Sequence, residues 1–147
     1  MISFGYGILY GYLRGALTKY GLNLGFGLLH ANRSHHAALV SDLMEVWRPI
    51  IVDDVVMNLL TEQRISFDMF DIKKNEAVYL TPEGRKIFLS ALRDRMSQKY
   101  DYFNHTQKRF YFIYTVNQQV ESLLRAYSEK NPDLYHWIGV DENAKII

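Results

Sequence analysis

Apolar positions along this chain recur with a helical period, not the two-residue alternation of a strand. Residues 1–20 hold Ile2, Phe4, Ile8, Leu9, Leu13, Ala16 and Leu17 with few charges, which predicts a helix buried on most faces. Gly7, Gly11 and Gly15 repeat every fourth residue and form a smooth stripe that another backbone could approach closely. Gly21 is placed to cap that helix. Residues 22–29 are an apolar, Gly-rich connector, and residues 31–36 a polar loop. Residues 37–63 then carry Leu39, Val40, Leu43, Met44, Val46, Trp47, Ile50, Ile51, Val55, Val56, Leu59 and Leu60 at helical spacing. Pro49 lies inside this run, removes a backbone donor and predicts a kink near Arg48.

Further along, a turn of helix is expected at 66–70 and one short strand at 77–80. Thr81-Pro82-Glu83 reads as an N-cap followed by Pro at the first helical position, opening a helix to about residue 98. Residues 100–104 break it. A last long helix is expected over 105–130, with Phe112, Val116, Val120, Leu123, Leu124 and Tyr127 turned inward and Asn131-Pro132 as its stop. The expected architecture is mainly α, a multi-helix domain over residues 1–138 with at most one short strand, followed by a tail at 139–147.

At 147 residues the chain is most simply one domain, and 48% apolar residues suffice for a core. With no Cys there is no disulfide framework and no thiolate metal site, which fits a reducing, cytoplasmic setting. No uncharged apolar run is long enough for a membrane span. Net charge is only +1, but its distribution is uneven. Residues 42–83 hold nine acids and four bases; residues 85–109 hold seven bases and two acids. The two segments either pair internally or form a metal site flanked by a phosphate-binding face.

Asp42 and Glu45 stand three residues apart, so on a helix they share a face. His30 closes the Gly-rich connector ahead of them. One imidazole and two carboxylates suit a divalent cation with open positions for water and phosphate. The alternatives are ordinary: a turn histidine bonded to a backbone carbonyl, and acids on a solvated face or paired with Arg48 one turn on. Asp53 and Asp54 read as exposed or capping acids, and His35-His36 as part of a solvated loop. Arg93, Arg95, Lys99, Lys108 and Arg109 lie among Tyr100, Tyr102 and Phe103. They form either a face that tracks a DNA backbone or a solvated surface.

Four motifs in order carry a family resemblance. Ser3-Phe4-Gly5-Tyr6-Gly7-Ile8-Leu9 is the first, and Gly21-Leu22 with Gly27-Leu28-Leu29-His30 the second. Asp42-Leu43-Met44-Glu45 with Arg48-Pro49 and Asp53 is the third, and Leu80-Thr81 with Gly84-Arg85 the fourth. Together they resemble the C-terminal helical domain of the CRISPR adaptation integrases, the Cas-one family. The resemblance implies a metal-dependent DNA endonuclease and integrase that joins captured DNA to the CRISPR repeat by transesterification. It implies His30, Asp42 and Glu45 as catalytic and metal-binding residues, and Mg²⁺ or Mn²⁺ as the ion. The expected DNA contacts are the basic residues Arg33, Arg48, Arg93, Arg95, Lys99, Lys108 and Arg109.

The implied partners are double-stranded DNA (prespacer and repeat), a Cas-two family protein, and a second copy in the full-length family. The family's first metal ligand, a Glu upstream of the Gly-Tyr motif, has no counterpart here, nor does its N-terminal β-domain. The chain therefore reads as a fragment, a truncated reading frame or one part of a split protein, incomplete as an enzyme. Two other classes compete with this reading. Val78 to Arg85 resembles the strand-to-helix exit of a winged-helix DNA-binding regulator, and a purely structural helical bundle accounts for the acids through Arg48.

Overall fold

The structure, a computed structural model, describes residues 1–29, 37–74, 76–103 and 108–139. Helix α1 (Ile2–Lys19) buries Gly5, Leu9, Leu13 and Leu17, one residue in four, and so buries a single face. That corrects the expectation of burial on most faces. A Schellman turn ends the helix as expected. Gly21, at φ 71°, donates to the Thr18 carbonyl at 3.0 Å, and Leu22 donates to Leu17 at 3.2 Å. The stripe of Gly7, Gly11 and Gly15 is a second correction. A Cβ at any of the three meets nothing within 4 Å, so no described segment packs there. The close approach is at Gly5, where a Cβ would stand 2.5 Å from Val52 Cγ1 and 3.0 Å from Phe88 Cζ.

A central rod follows. Helix α2 (Ala38–Trp47) runs through a π-helical turn (Arg48–Asp53) into α3 (Asp54–Thr61). Every residue from Ala38 to Met44 is buried, so this part of the rod is enclosed on all faces. The expected kink at Pro49 takes the form of a widened ladder. Pro49 supplies no N–H, and the Asp54 N–H reaches the Pro49 carbonyl five residues back.

A 3₁₀ turn (Phe67–Met69) leads into β1 (Phe70–Ile72), which pairs antiparallel with β2 (Val78–Leu80), Phe70 opposite Leu80. Thr81 Oγ accepts from the Gly84 N–H at 3.2 Å and starts α4 (Pro82–Ser97), as its sequence predicted. Strand β3 (Lys99–Tyr100) pairs antiparallel with β4 (Phe110–Tyr111), and α5 (Phe112–Ser128) follows at once. The protein is mainly α, but the described residues hold two short strand pairs where at most one strand was expected. The last helix begins at Phe112 instead of 105. The aromatic pair Phe110-Tyr111 finds a cross-strand partner in Lys99-Tyr100, and tertiary pairing overrides the helical pattern there. Residues 104–107 and the tail from 140 lie outside the described residues. Tyr127, expected inside, is exposed, and Leu124 is half-buried. No helix among the described residues is long and apolar enough to cross a membrane.

Trp47 is the centre of the core. Its ring meets Phe112 edge-on at 4.9 Å and Tyr102 at 5.1 Å. Its Nε1 donates to Gln119 Oε1 at 2.9 Å, and Gln119 Nε2 donates to the Tyr135 hydroxyl at 2.8 Å. Three distant segments are thereby tied by one buried polar chain. The buried Tyr102 hydroxyl, by contrast, has no hydrogen-bond partner among the described residues. Burial pushes its pKa up to about 12, with nearby Arg95 pulling the other way.

Two measurements test this packing. Gly5→Val places methyl groups against Val52 and Phe88 and is expected to cost about 2 kcal/mol or more in urea denaturation. Gly11→Ala, in open space, is expected to stabilise by up to ~1 kcal/mol through helix propensity. The Tyr102 contribution is whole below the unfolded tyrosine pKa near 10 and is lost as pH rises toward about 12, because the unfolded chain deprotonates first. Tyr102→Phe is expected to flatten that alkaline decline in melting temperature without loss of stability at pH 7.

Candidate active site

Asp42 and Glu45 both leave α2 on the side that faces the connector and the end of α5, but their surroundings differ. Asp42 is buried at 7% exposure, and its Oδ2 accepts the backbone N–H groups of Leu28 and Leu29, the latter at 3.0 Å. Glu45 is half-exposed, and its Oε1 takes Arg48 Nη1 at 2.9 Å, the pairing that the spacing allowed. The Arg48 guanidinium lies over the Tyr6 ring at 4.8 Å, and the Tyr6 hydroxyl donates to Asp53 Oδ1 at 2.8 Å. Burial first, and then the bond to Asp53, hold the Tyr6 hydroxyl above the usual tyrosine range. One chain of contacts thus runs from Asp53 through Tyr6 and Arg48 to Glu45.

A cavity of about 460 Å³ opens beside the two acids. Leu28, Leu29, Asp42, Glu45, Tyr127, Tyr135 and Trp137 are among its lining residues. Its lining is overwhelmingly apolar apart from the acids and Lys130. Trp137 is 72% exposed and Leu29 82%, so two of the lining side chains face solvent.

The other candidate residues are scattered. His30 and Arg33, together with His35 and His36, lie outside the described residues. Arg93, Lys99, Lys108 and Arg109 are exposed, with Lys99 Nζ over the Tyr111 ring at 4.9 Å. Arg95 is a correction. Its side chain is only 10% exposed, its Nε donates to the Ile50 carbonyl at 3.1 Å and lies 3.0 Å from Asp54 Oδ2 in an ion pair, and it stacks 3.7 Å from the Tyr100 ring centre. Arg95 serves the π-helical turn, and its side chain is largely covered instead of lying on the expected solvated or DNA-tracking face. Asp54, read as exposed or capping, is its buried partner. Forty-one residues separate the two, and no local signal links them. Tyr6 was also missed as a site residue, although it belongs to the Gly-Tyr motif.

Among the described residues, no group of three or more His, Cys, Asp or Glu side chains is placed to hold a metal ion. Glu45 fits such an ion in chemistry and exposure; Asp42 Oδ2 is already engaged by two N–H donors.

The chain belongs to the family of CRISPR associated protein Cas1, whose model matches residues 1–94. The CRISPR-associated endonuclease Cas1 of Mycobacterium tuberculosis is 34% identical over 133 residues, covering 90% of this chain and 39% of that protein. The second Cas1 of Rhodospirillum rubrum is 35% identical over 99 residues, covering 67% of this chain and 29% of its own. This chain therefore spans well under half the length of these relatives, and it corresponds to their C-terminal part. A casposase bound to its integration product superposes with a TM-score of 0.79 at 24% identity, over 92% of this chain and 39% of that one. A CAS1 protein from Thermotoga maritima gives 0.76 at 21% identity, over 89% and 40%. These likenesses establish the fold: the helical arrangement seen here is that of Cas1 and casposase proteins.

The two ion pairs differ in depth, and their removal should differ accordingly. Asp54→Ala removes the carboxylate partner of a largely covered Arg95 and is expected to cost about 1.5–3 kcal/mol in urea denaturation. Glu45→Ala opens a half-exposed pair and is expected to change stability by less than about 1 kcal/mol.

Proposed function

We propose that this chain is one part of a metal-dependent DNA endonuclease and integrase of CRISPR spacer acquisition, cleaving and rejoining phosphodiester bonds. The observation that carries this reading is Glu45, a half-exposed carboxylate at the edge of an open cavity, one helical turn from Asp42, inside the segment that matches the family. In this reading His30 and Glu45 hold Mg²⁺ or Mn²⁺. The ion, when bound, supplies charge stabilisation at the phosphodiester oxygens. The chain's own groups do the rest. Arg48 neutralises Glu45 while no cation is present, and Tyr6 keeps the guanidinium within reach.

Tyr127 and Trp137 offer aromatic faces to unstacked bases beside the acids. Arg33, Arg93, Lys99, Lys108 and Arg109 contact the DNA backbone, and the salt dependence of binding should rise with each one used. The substrates proposed are duplex DNA of the prespacer and of the CRISPR repeat. The protein partner proposed is a Cas-two family protein, with homodimerisation through portions outside this chain. The similarity to Cas1 within a Cas6-RT-Cas1–Cas2 complex, at a TM-score of 0.79, supports that partner.

The Glu45–Arg48 pair favours a second reading, in which the two residues only staple the helix. Mn²⁺ titration followed by thermal shift separates the two. Stabilisation by Mn²⁺ that disappears in Glu45→Gln and His30→Ala supports the ligand role; a ligand at 100 times its Kd is worth about 2.7 kcal/mol. Absence of any Mn²⁺ response in the parent chain would leave the staple. Supplying the remaining portion of a relative in trans is expected to yield Mn²⁺-dependent DNA cleavage. No cleavage from a confirmed assembly would count against the nuclease reading.

A further inference from the structure

The hairpin of β1 and β2 has no third strand beside it among the described residues. The Thr81 N–H donates to the Met69 carbonyl at 3.0 Å, and the Lys73 N–H to the Ala77 carbonyl at 2.9 Å. Bonded and non-bonded pairs alternate along an antiparallel ladder. Positions 69, 71 and 73 therefore turn their backbone groups toward β2, and positions 70 and 72 turn theirs outward. The Phe70 N–H returns to the Phe67 carbonyl. Ile72 is left with both groups on the open edge, where no backbone bond among the described residues reaches them. Its side chain is 76% exposed, and Val78 opposite it is exposed as well. An edge of this kind is a template for another strand. The far edge of the hairpin is less open, because β2 ends in buried Leu80 and runs directly into α4.

The charges on β1 select the strand that fits. Asp71 and Lys73 flank Ile72 on the other face of the hairpin; both are about half-exposed, and they pair at 3.6 Å. Two copies of β1 meeting antiparallel, outward groups against outward groups, have three symmetric registers, centred on Asp71, Ile72 or Lys73. The first sets Asp71 against Asp71, and the last sets Lys73 against Lys73. Like charges directly across a ladder are destabilising and opposite charges are favourable. Centring on Ile72 sets Asp71 of each copy opposite Lys73 of the other. It also lets the Ile72 N–H of each copy donate to the Ile72 carbonyl of the other. On the apolar face the two Ile72 side chains then lie side by side, each flanked by Val78.

We propose that β1 pairs antiparallel with β1 of a second copy of this chain, about a two-fold axis at Ile72, to make one four-stranded sheet. The contact is isologous, and the strand is its own complement. None of its residues lines the cavity beside Glu45, and it is additional to homodimerisation through portions outside this chain. The strand is three residues long, so the interface is small and the dimer weak.

Sedimentation equilibrium of the chain across a micromolar-to-millimolar range is the test. A monomer–dimer equilibrium is expected. Ile72→Pro removes the outward N–H without touching a bond to β2, since Pro is tolerated on a strand edge. It is expected to weaken dimerisation at least tenfold with the melting temperature nearly unchanged. Asp71→Lys and Lys73→Asp are each expected to weaken self-association at least tenfold. An equimolar mixture of the two is expected to associate again, because every cross-strand pair is then of opposite charge. A parent chain that stays monomeric throughout overturns the proposal. So does a dimer that persists unchanged in both single charge variants, or a mixture that associates no better than either variant alone. If Ile72→Pro does not fold, the charge variants, at half-exposed positions, decide the outcome.

Discussion

A helix enclosed on every side sets the terms for this protein. From Ala38 to Met44 the central rod has no solvent face, so each polar group it carries must find a partner inside the molecule. The partners come from far along the chain. The same holds further along the rod, where Gln119 on α5 accepts the Trp47 indole N–H, and Arg95 on α4 donates to the Ile50 carbonyl and pairs with the Asp54 carboxylate. The connector amides take Asp42. These bonds lie at different heights along the rod, and together they fix α4, α5 and the connector against it. The apolar contacts supply most of the stabilisation, but they do not by themselves choose a register; the polar partners do.

Pro49 turns this constraint to use. In the middle of an enclosed helix a missing N–H would break the ladder. Here the ladder widens to a π turn, and Arg95 serves a carbonyl within that turn. Packing decides where the turn can sit. Val52 from the turn lies against Gly5 of α1, and any larger residue at Gly5 would collide with it. Just before Pro49 the rod emerges into solvent, and there it carries Glu45. Glu45 thus stands at the border between an enclosed helix and an open cavity, with Arg48 and Tyr6 beside it.

Much of this was legible before any coordinates. The helical period located α1, the rod and α4; Gly21 and Thr81 marked their ends because cap geometry is local. The Asp42–Glu45 spacing placed both acids on one side of a helix, and the Arg48 pair followed from the same spacing. The four motifs pointed to the family that the matched residues establish. The errors share a cause. Gly7, Gly11 and Gly15 suggested a packing face, yet of the α1 glycines only Gly5 is packed. Repeat spacing says which residues align but not what lies opposite them. The start of α5 was misjudged because strand pairing of residues 99–100 with 110–111 is a non-local choice.

By itself, then, the amino-acid sequence determined the mainly helical class, the caps, the interruption at Pro49 and the pair of acids, since each depends on residues within one or two turns of one another. Only the tertiary structure decided that Asp42 holds two connector amides while Glu45 remains half-exposed. It also decided that Arg95 turns inward to Asp54 and that Trp47 finds Gln119 across 72 residues. Those outcomes rest on which elements enclose the rod and at what height, and burial of a polar group is settled by its neighbours in space and not by its neighbours in sequence.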